Sequence, residues 1–319
     1  MERKKWVRLD NASNIFLAAK NNVDTKVFRL SAELISEVNP RLLQRALDRV
    51  YQQYALYHSV LRRGFFWYYL EESGLRPLVR PETESPCAPI YHFDRKELLF
   101  RVLYYERRIH LEVFHALSDG TGALWFFEDL VSEYVALCYL EEYELKKNAE
   151  QLRATHHFED SFARYFRKAR QKNFAKATLS AIEKLYQERT GAYGARTGTL
   201  EPAIMDEPAP IEDKAKKQAV YRIKGQRNPD DRMRVIELEM SLSKLLTLSK
   251  SEGISLTVYL TALYVLSIYQ TEKKPARESV ITVSVPVNLR QFFPSESARN
   301  FFTTIQLEIT FKAGETLSF

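Results

Sequence analysis

The chain has little cysteine: only Cys87 and Cys138 occur in 319 residues. Neither lies in a C-x-x-C pattern, and two cysteines cannot form the disulfide framework of a small secreted domain. We therefore expect a reduced chain in which both thiols act as small apolar side chains. The chain also lacks an apolar run near the roughly 18 residues of a membrane span, and NIFLAA near the start is too short for a signal peptide. These absences predict a cytoplasmic protein with no transmembrane segment.

Phosphate loops and metal-ligand sets are absent as well. The GTG at 120–122 lacks the remaining elements of a glycine-rich phosphate loop. The run HHFED at 156–160 has metal-capable side chains, but adjacent histidines on a helix diverge and no further ligand set is visible. We expect no metal site and no bound cofactor.

What is present is typical of a soluble globular protein. Hydrophobic residues make up 45% and charged residues 28% of a chain long enough for one large or two medium domains. Aromatic residues are frequent, at 13%, which predicts rings that fill a core or line a cavity.

A net charge of +6 permits an anionic partner such as nucleic acid, a membrane surface or a phosphorylated cofactor, but does not select one. Basic residues cluster over 153–189. Aromatic residues recur there at helical spacing, which favours an amphipathic helix with a solvated charged face over a nucleic-acid interface. We do not expect nucleic acid as a partner.

Strand, helix and strand patterns occur in both halves of the chain. Period-two alternation, capping residues and helical stripes predict the following elements: strands over 25–33, 98–105 and 108–114, β structure over 59–73, and helices beginning at Asn39-Pro40 and after Gly122. In the second half they predict a strand over 234–240, a helix from Ser241 or Ser243 to near Gly253, a buried apolar helix over 255–269, and strands over 280–286, stopped by Pro286, and over 302–311.

This order predicts an α+β fold with a crossover between two related lobes. We place an N-terminal lobe over 1–150, a basic helical segment with a crossover linker over 151–230, and a C-terminal lobe over 231–319.

One polar motif stands between a strand and a helix: VFHALSDGT at 113–121. A histidine at a strand end can be held in one orientation, and with a pKa near 6.5 His115 could accept a proton from a hydroxyl, amine or thiol. Asp119 has two open roles, either orienting the imidazole or tying the loop to an arginine elsewhere. Gly120 would permit a backbone angle that a side chain forbids.

The motif resembles the His-His-x-x-x-Asp-Gly signature of the condensation-domain and chloramphenicol acetyltransferase-like acyltransferase superfamily. A second similarity is VPVNLR at 285–290, followed by FFPSESARNFF, which looks like a stretch of bacterial alcohol acetyltransferase-like proteins. A third is the Asn39-Pro40 helix followed by HSVLRRGF. The three occur in the family's order and extend over nearly the whole chain.

The resemblance implies two chloramphenicol-acetyltransferase-like lobes in a V, with mixed sheets, flanking helices and a tunnel at their junction. It implies that His115 is the general base, and that Asp119 and Gly120 support the site structurally. Arg290 fits the arginine of the second lobe that pairs with Asp119. Ser118 and Asn300 are candidates for polarising a thioester carbonyl.

Two features depart from the family pattern. Phe114 stands where the first histidine of the signature would be, and we expect it to face away from the site and support packing. The family's chains are also longer, and we expect this one to lack the last elements of its second lobe.

The function implied is transfer of an acyl group, from acyl-CoA or a carrier-protein thioester as cosubstrate, to a small-molecule or lipid-like alcohol or amine. The enzyme would be an acyltransferase, most simply an O-acyltransferase. The alternative is a catalytically inactive member of the same fold that binds a ligand or partner.

Overall fold

The computed structural model describes residues 5–21, 23–65, 67–139, 160–166, 228, 233–271 and 279–311. The chain divides into two compact units. The first comprises residues 1–181, 227–235 and 288–303, and the second comprises 182–226, 236–287 and 304–319.

Two sheets and the helices beside them form the described part of the first unit. The larger sheet has the strand order β2–β7–β6–β5 and the smaller one β1–β4–β3. The elements are β1 (Trp6–Arg8), α1 (Asn11–Ala19), β2 (Val27–Glu33), α2 (Pro40–Tyr51), a 3-10 turn (Ala55–His58), β3 (Ser59–Arg63), β4 (Tyr68–Glu72), β5 (Val79–Pro81), β6 (Phe100–Tyr105), β7 (Arg108–Phe114), α3 (Gly120–Cys138), α4 (Ser161–Phe166) and a second 3-10 turn (Leu289–Gln291).

Helix α2 shows how the sequence fixes these elements. The Asn39 side chain accepts hydrogen bonds from the backbone N–H groups of Arg41 and Leu42, and Pro40 occupies the first helical position. Leu43, Ala46, Leu47 and Val50 share one fully buried face of the helix. They join the main hydrophobic core, to which β7 and α3 also contribute.

The central strand of the larger sheet, β7, leads into the motif. It pairs antiparallel with β2, from Val27 opposite Phe114, and with β6, to which the turn at 106–107 connects it. Its Ile109, Leu111 and Val113 are fully buried in the core. The strand therefore delivers His115 to a rigid edge, where the His115 backbone N–H donates to the Lys26 carbonyl at 2.8 Å.

The other face of β7 carries a buried ionic cluster. Glu112 is fully buried and lies between the guanidinium groups of Arg29 and Arg101. Its Oε1 atom also accepts the Cys87 backbone N–H at 2.7 Å, which ties the proline-rich loop to the sheet. Burial, reinforced by the Glu112 charge, raises the pKa of the Cys87 thiol to about 11, so the thiol is neutral near pH 7.

The second unit contributes α5 (Leu242–Ser251), α6 (Leu256–Thr271), and most of β8 (Ser279–Asn288) and β9 (Phe302–Phe311). Strands β8 and β9 pair as a two-stranded sheet. Val265 of α6 and Ile281 of β8 form a small buried core against these strands. Ser241 caps α5, as predicted, by accepting the Lys244 N–H.

Three predictions for this part of the chain need correction. Residues 233–240 are exposed and irregular, because a strand needs a partner and none of the described strands pairs with them. Helix α6 exists, but only Val265 is buried among its residues, since the described chain packs on one side of it. Strand β8 continues through Pro286 to Asn288, which an edge position in a two-stranded sheet allows.

None of the described helices is by itself both long enough and apolar enough to cross a membrane. Only α5 and α6 taken together, bent by 89°, have the length and composition of a span.

The mixed sheets and helices confirm the predicted α+β fold class. Several predicted features lie outside the described residues. They are residues 156–159 of the HHFED run, the basic segment 153–189 apart from 160–166, and the predicted linker apart from residue 228.

Candidate functional site

The imidazole of His115 lies among aromatic rings at the end of β7. The ring of Phe16, from α1, stacks on it with centroids 3.8 Å apart and 16° between the planes. Phe28 of β2 lies at 4.8 Å and Phe302 at 6.0 Å, both tilted. All four residues belong to the first unit. The half-buried histidine is therefore held between flat apolar surfaces.

A second residue fixes which imidazole nitrogen carries the proton. The Asn300 amide Nδ2 donates to the His115 carbonyl at 2.9 Å and to Ser13 Oγ at 3.0 Å. A carbonyl can only accept, so this side of the amide must be the NH2 group, and its Oδ1 faces His115 Nδ1 at 3.2 Å. Nδ1 is then the donor, and Nε2 carries the lone pair of the neutral ring.

Burial sets the protonation state of this ring. It lowers the pKa of His115 below its ordinary value near 6.5, outweighing the nearby Asp119 charge and the hydrogen bonds, which act in the opposite direction. The imidazole is consequently neutral at pH 7. A neutral Nε2 with a free lone pair is the form that a general base requires.

Asp119 has two tasks that do not involve the imidazole directly. Its Oδ1 accepts the Gly122 N–H at 2.9 Å and so caps α3. Its Oδ2 accepts from Arg290 Nη1 at 2.7 Å and from the Phe301 N–H at 2.8 Å. Both side chains are only 7% exposed. Of the two roles left open by the sequence, the geometry is that of a tie to an arginine.

Arg290 is itself held at several points. Its guanidinium donates to the carbonyls of Ser297 and Arg299, at 2.8 and 2.6 Å from Nη2, and lies over the Trp125 ring of α3 at 5.3 Å. Residues 288–303 belong to the first unit, so the Asp119 pair lies within that unit. It fastens this late segment of the chain to the motif loop, and does not bridge the two units.

The structure gives Ser118 and Asn300 other contacts than those expected. Ser118 is fully buried and its hydroxyl donates to the Ala298 carbonyl at 2.6 Å. Both amide hydrogens of Asn300 are used by Ser13 and His115. The Ser118 hydroxyl and both amide hydrogens of Asn300 are thus already engaged, and their role in polarising a thioester carbonyl stays a prediction. In this structure Asn300 orients His115, and Ser118 anchors the loop.

The glycine that the local packing requires is Gly122, where the sequence had indicated Gly120. Gly120 does not have the positive φ that we expected, and a Cβ added there would meet no atom within 4 Å. A Cβ on Gly122 would lie 2.2 Å from the Ala298 oxygen and 2.5 Å from Ser118 Oγ. Gly122, and not Gly120, allows the backbone of residue 298 to approach α3.

These contacts predict opposite results for two neighbouring substitutions. Gly122→Ala is expected to lower the free energy of unfolding by about 1–3 kcal/mol, because backbone atoms must move to admit the methyl group. Gly120→Ala is the matched control and should stay within about 1 kcal/mol of wild type, since alanine is the better helix former. Urea unfolding of both variants measures the difference, and equal stabilities would contradict the close approach at Gly122.

Comparisons with known proteins can be set beside this geometry. A model of the family described as alcohol acetyltransferase matches residues 106–311, which include the motif, Arg290 and Asn300. The match extends over more than half of the chain. The chain belongs to the alcohol acetyltransferase family. No curated protein sequence matches it significantly.

Solved structures agree with the fold of this family. Polyketide synthase associated protein 5 from Mycobacterium tuberculosis is 16% identical with a TM-score of 0.58, over 98% of this chain and 70% of that one. The first condensation domain of the CDA synthetase is 17% identical with a TM-score of 0.54, over 97% and 71% of the two chains. This alcohol acetyltransferase family member therefore has the condensation-domain, chloramphenicol acetyltransferase-like fold.

Arg299 and Asp10, which were not among the predicted site residues, complete the surroundings of His115. Arg299 is 1% exposed, and its Nη2 donates to the Arg8 carbonyl at 2.9 Å and to Asp10 Oδ2 at 3.3 Å. Asp10 also caps α1 by accepting the Ser13 N–H at 2.7 Å. The helix that supplies Phe16 is thereby attached to the segment that supplies Asn300. An aspartate before NASNIFLAA was the available signal for this helix.

Phe114, the departure from the family signature, is fully buried and stacks on Tyr91 with centroids 5.7 Å apart. Its ring belongs to the main hydrophobic core and makes packing contacts there. Within the described residues, no group of three or more His, Cys, Asp or Glu is placed to hold a metal ion.

Proposed function

We propose that the protein transfers an acyl group from a thioester to an alcohol, with an amine as the other acceptor class, and that His115 is the general base. The observation that carries the proposal is the hydrogen bond that His115 Nδ1 donates to Asn300 Oδ1, which leaves Nε2 as the proton acceptor of a neutral, half-buried imidazole. The family membership gives the reaction class its support.

The reaction is balanced without a covalent enzyme intermediate. His115 Nε2 takes the hydroxyl proton while the acceptor oxygen forms a bond to the thioester carbonyl carbon. The carbon–sulfur bond then breaks, and the departing thiolate receives that proton from the imidazolium. The products are an ester and a free thiol, and the imidazole returns to its starting state. The cosubstrate would be acyl-CoA or an acyl carrier protein.

The rings around the base support an acceptor with an apolar body. Phe16, Phe28 and Phe302 surround the imidazole, so a substrate hydroxyl that reaches Nε2 has apolar surfaces beside it. A small apolar alcohol or a lipid-like alcohol meets this condition better than a sugar, because polar groups lose water there without gaining hydrogen bonds.

The test is an acceptor-dependent transfer assay. Wild-type protein is incubated with acetyl-CoA and a panel of apolar alcohols and amines, free thiol is followed with a thiol reagent, and products are identified by mass spectrometry. A carrier protein loaded with the same acyl group is the parallel donor. Thiol release that requires the acceptor supports the proposal. Its absence with every acceptor and both donors would leave the inactive, ligand-binding alternative.

The same assay carries a pH prediction. Below the pKa of His115, Nε2 holds a proton and cannot accept another, so kcat/KM should fall on the acid side. Because burial lowers that pKa, the midpoint is expected below pH 6.5, with a plateau above it. A midpoint above 7 would contradict a base that is neutral at pH 7.

A further inference from the structure

The hairpin of β3 and β4 carries a surface that the proposed reaction does not use. Its sequence is RRGFFWYYLEE over 62–72. At its tip, Phe65 is 99% exposed and Trp67 is 51% exposed. The Gly64 N–H donates to the Trp67 carbonyl at 2.8 Å, which closes the turn below them. Other large rings of this unit, such as Tyr57 and Phe126, lie in its core, and Phe65 is the most exposed of the described large hydrophobic side chains.

Basic side chains form a collar behind this tip. Arg63 lies opposite Tyr68 on the rung next to the turn, and Arg62 lies opposite Tyr69 on the following rung. Strand β1 pairs with the other edge of β4 and places Arg8 opposite Tyr69 as well. All three arginines are exposed. Three positive charges therefore surround the hairpin within two rungs of the aromatic tip.

The acidic residues of the hairpin lie farther from the tip. Glu71 and Glu72 are on the rungs of Val60 and Ser59. At about 3.3 Å per residue, Glu71 is roughly 7 Å behind the rung of Arg62. Its carboxylate is 3.8 Å from Arg62 and 3.8 Å from Lys96. Along the hairpin axis the order is thus aromatic, basic, acidic.

We propose that this hairpin, with Phe65 and Trp67 at the tip and Arg8, Arg62 and Arg63 behind them, docks the protein on an anionic lipid bilayer. Aromatic side chains concentrate at the membrane interface, and basic side chains are attracted to anionic headgroups. Phe65 is exposed over nearly its whole surface. A flat protein surface would cover only one side of this ring, whereas a bilayer into which the hairpin tip inserts would cover all sides. The exposure therefore favours a bilayer. The inference is independent of acyl transfer.

Vesicle binding of the full chain tests the proposal. Sedimentation is measured with vesicles of phosphatidylcholine alone and of phosphatidylcholine mixed with phosphatidylglycerol, and the tryptophan emission is recorded in parallel. Wild type should bind the anionic vesicles, more weakly at high salt, because salt screens the headgroup charge. Its emission should shift to shorter wavelength as Trp67 leaves water.

Two double variants separate the contributions. Arg62→Gln/Arg63→Gln should bind about 25-fold more weakly, at about fivefold for each basic side chain near an anionic surface. Phe65→Ser/Trp67→Ser should lose at least about tenfold, since neither ring can then be buried. Arg41→Gln/Arg45→Gln removes two exposed charges of helix α2, and Tyr105→Ser removes an exposed ring beside the β6–β7 turn. Both controls should bind like wild type.

Several results would overturn the proposal. They are no binding of wild type to anionic vesicles, equal binding to neutral vesicles, or tip variants that bind as wild type does. An acidic protein captured through Arg62 and Arg63, or a dimer abolished by Phe65→Ser, with no vesicle binding, would equally overturn it. All variants keep their core residues, so unchanged thermal unfolding shows that a loss of binding is local. His115→Ala should bind vesicles normally.

Discussion

Replacement of His115 by alanine is expected to lower kcat/KM for acyl transfer at least about a hundredfold, because general-base catalysis contributes roughly 10²- to 10⁴-fold. The structure gives the reason in two contacts. Asn300 Oδ1 accepts from Nδ1, and the Phe16 ring covers one face of the imidazole. The nitrogen that remains is Nε2, and alanine has no basic group to take its place. The thiol-release assay with acetyl-CoA and an accepted alcohol measures the effect.

A second histidine variant, His92→Ala, is the matched control. It distinguishes the specific effect of removing the His115 imidazole from the effect of removing any imidazole. His92 is half-buried in the first unit, with Nδ1 3.1 Å from Glu97 Oε2, and it takes no part in the His115 surroundings. His92→Ala should retain wild-type kcat/KM. His115→Ala should also leave acetyl-CoA binding largely intact, which isothermal titration can measure. Unchanged acyl transfer in His115→Ala would remove the general-base assignment, whatever the stability of the variant.

The motif itself was predictable because its parts are local. A strand, a turn and a helix follow one another over 108–138, and each has its own sequence signal: alternation before His115, an aspartate cap, and an apolar helical stripe afterwards. The resemblance to the acyltransferase superfamily then supplied the pairing of Asp119 with Arg290. The two residues meet at 2.7 Å.

The roles of Asn300 and Gly122 were not predictable in this way. Asn300 acts through contacts with His115 and Ser13, which lie 185 and 287 residues away in sequence. Gly122 is distinguished from Gly120 only by the arrival of the Ala298 backbone. No local pattern encodes such a meeting, so sequence reasoning placed the conformational requirement at Gly120 and had no signal for the contact between Asn300 and His115.

Burial was misjudged where hydrophobicity alone was used. Helix α6 is apolar on every side, which predicts burial, yet most of its residues are exposed or half-buried in the described chain. Conversely, Glu112 is charged and fully buried, because Arg29 and Arg101 converge on it from neighbouring strands. The amino-acid composition of a single helix or strand does not determine which other parts of the chain pack against it.

The second large effect is expected on stability, at the pair of Asp119 and Arg290. Arg290→Met should lower the free energy of unfolding by about 3–5 kcal/mol, the usual result of leaving a buried charge without its partner. The methionine also loses the hydrogen bonds to the Ser297 and Arg299 carbonyls. Urea unfolding followed by tryptophan fluorescence measures the change, with Trp125 lying 5.3 Å from the guanidinium as a local reporter.

Asp119→Asn should be milder, because asparagine also caps helices and Arg290 keeps its carbonyl partners. The decisive measurement is the double variant Asp119→Asn/Arg290→Met. If the pair acts as a unit, the double variant is less destabilised than the sum of the single variants, by about 1–3 kcal/mol of coupling. Arg41→Met, on the exposed surface of α2, controls for loss of an arginine and should change stability by less than about 0.5 kcal/mol. Strict additivity at Asp119 and Arg290 would show that the carbonyl contacts alone hold the 288–303 segment, and with it Asn300, against His115.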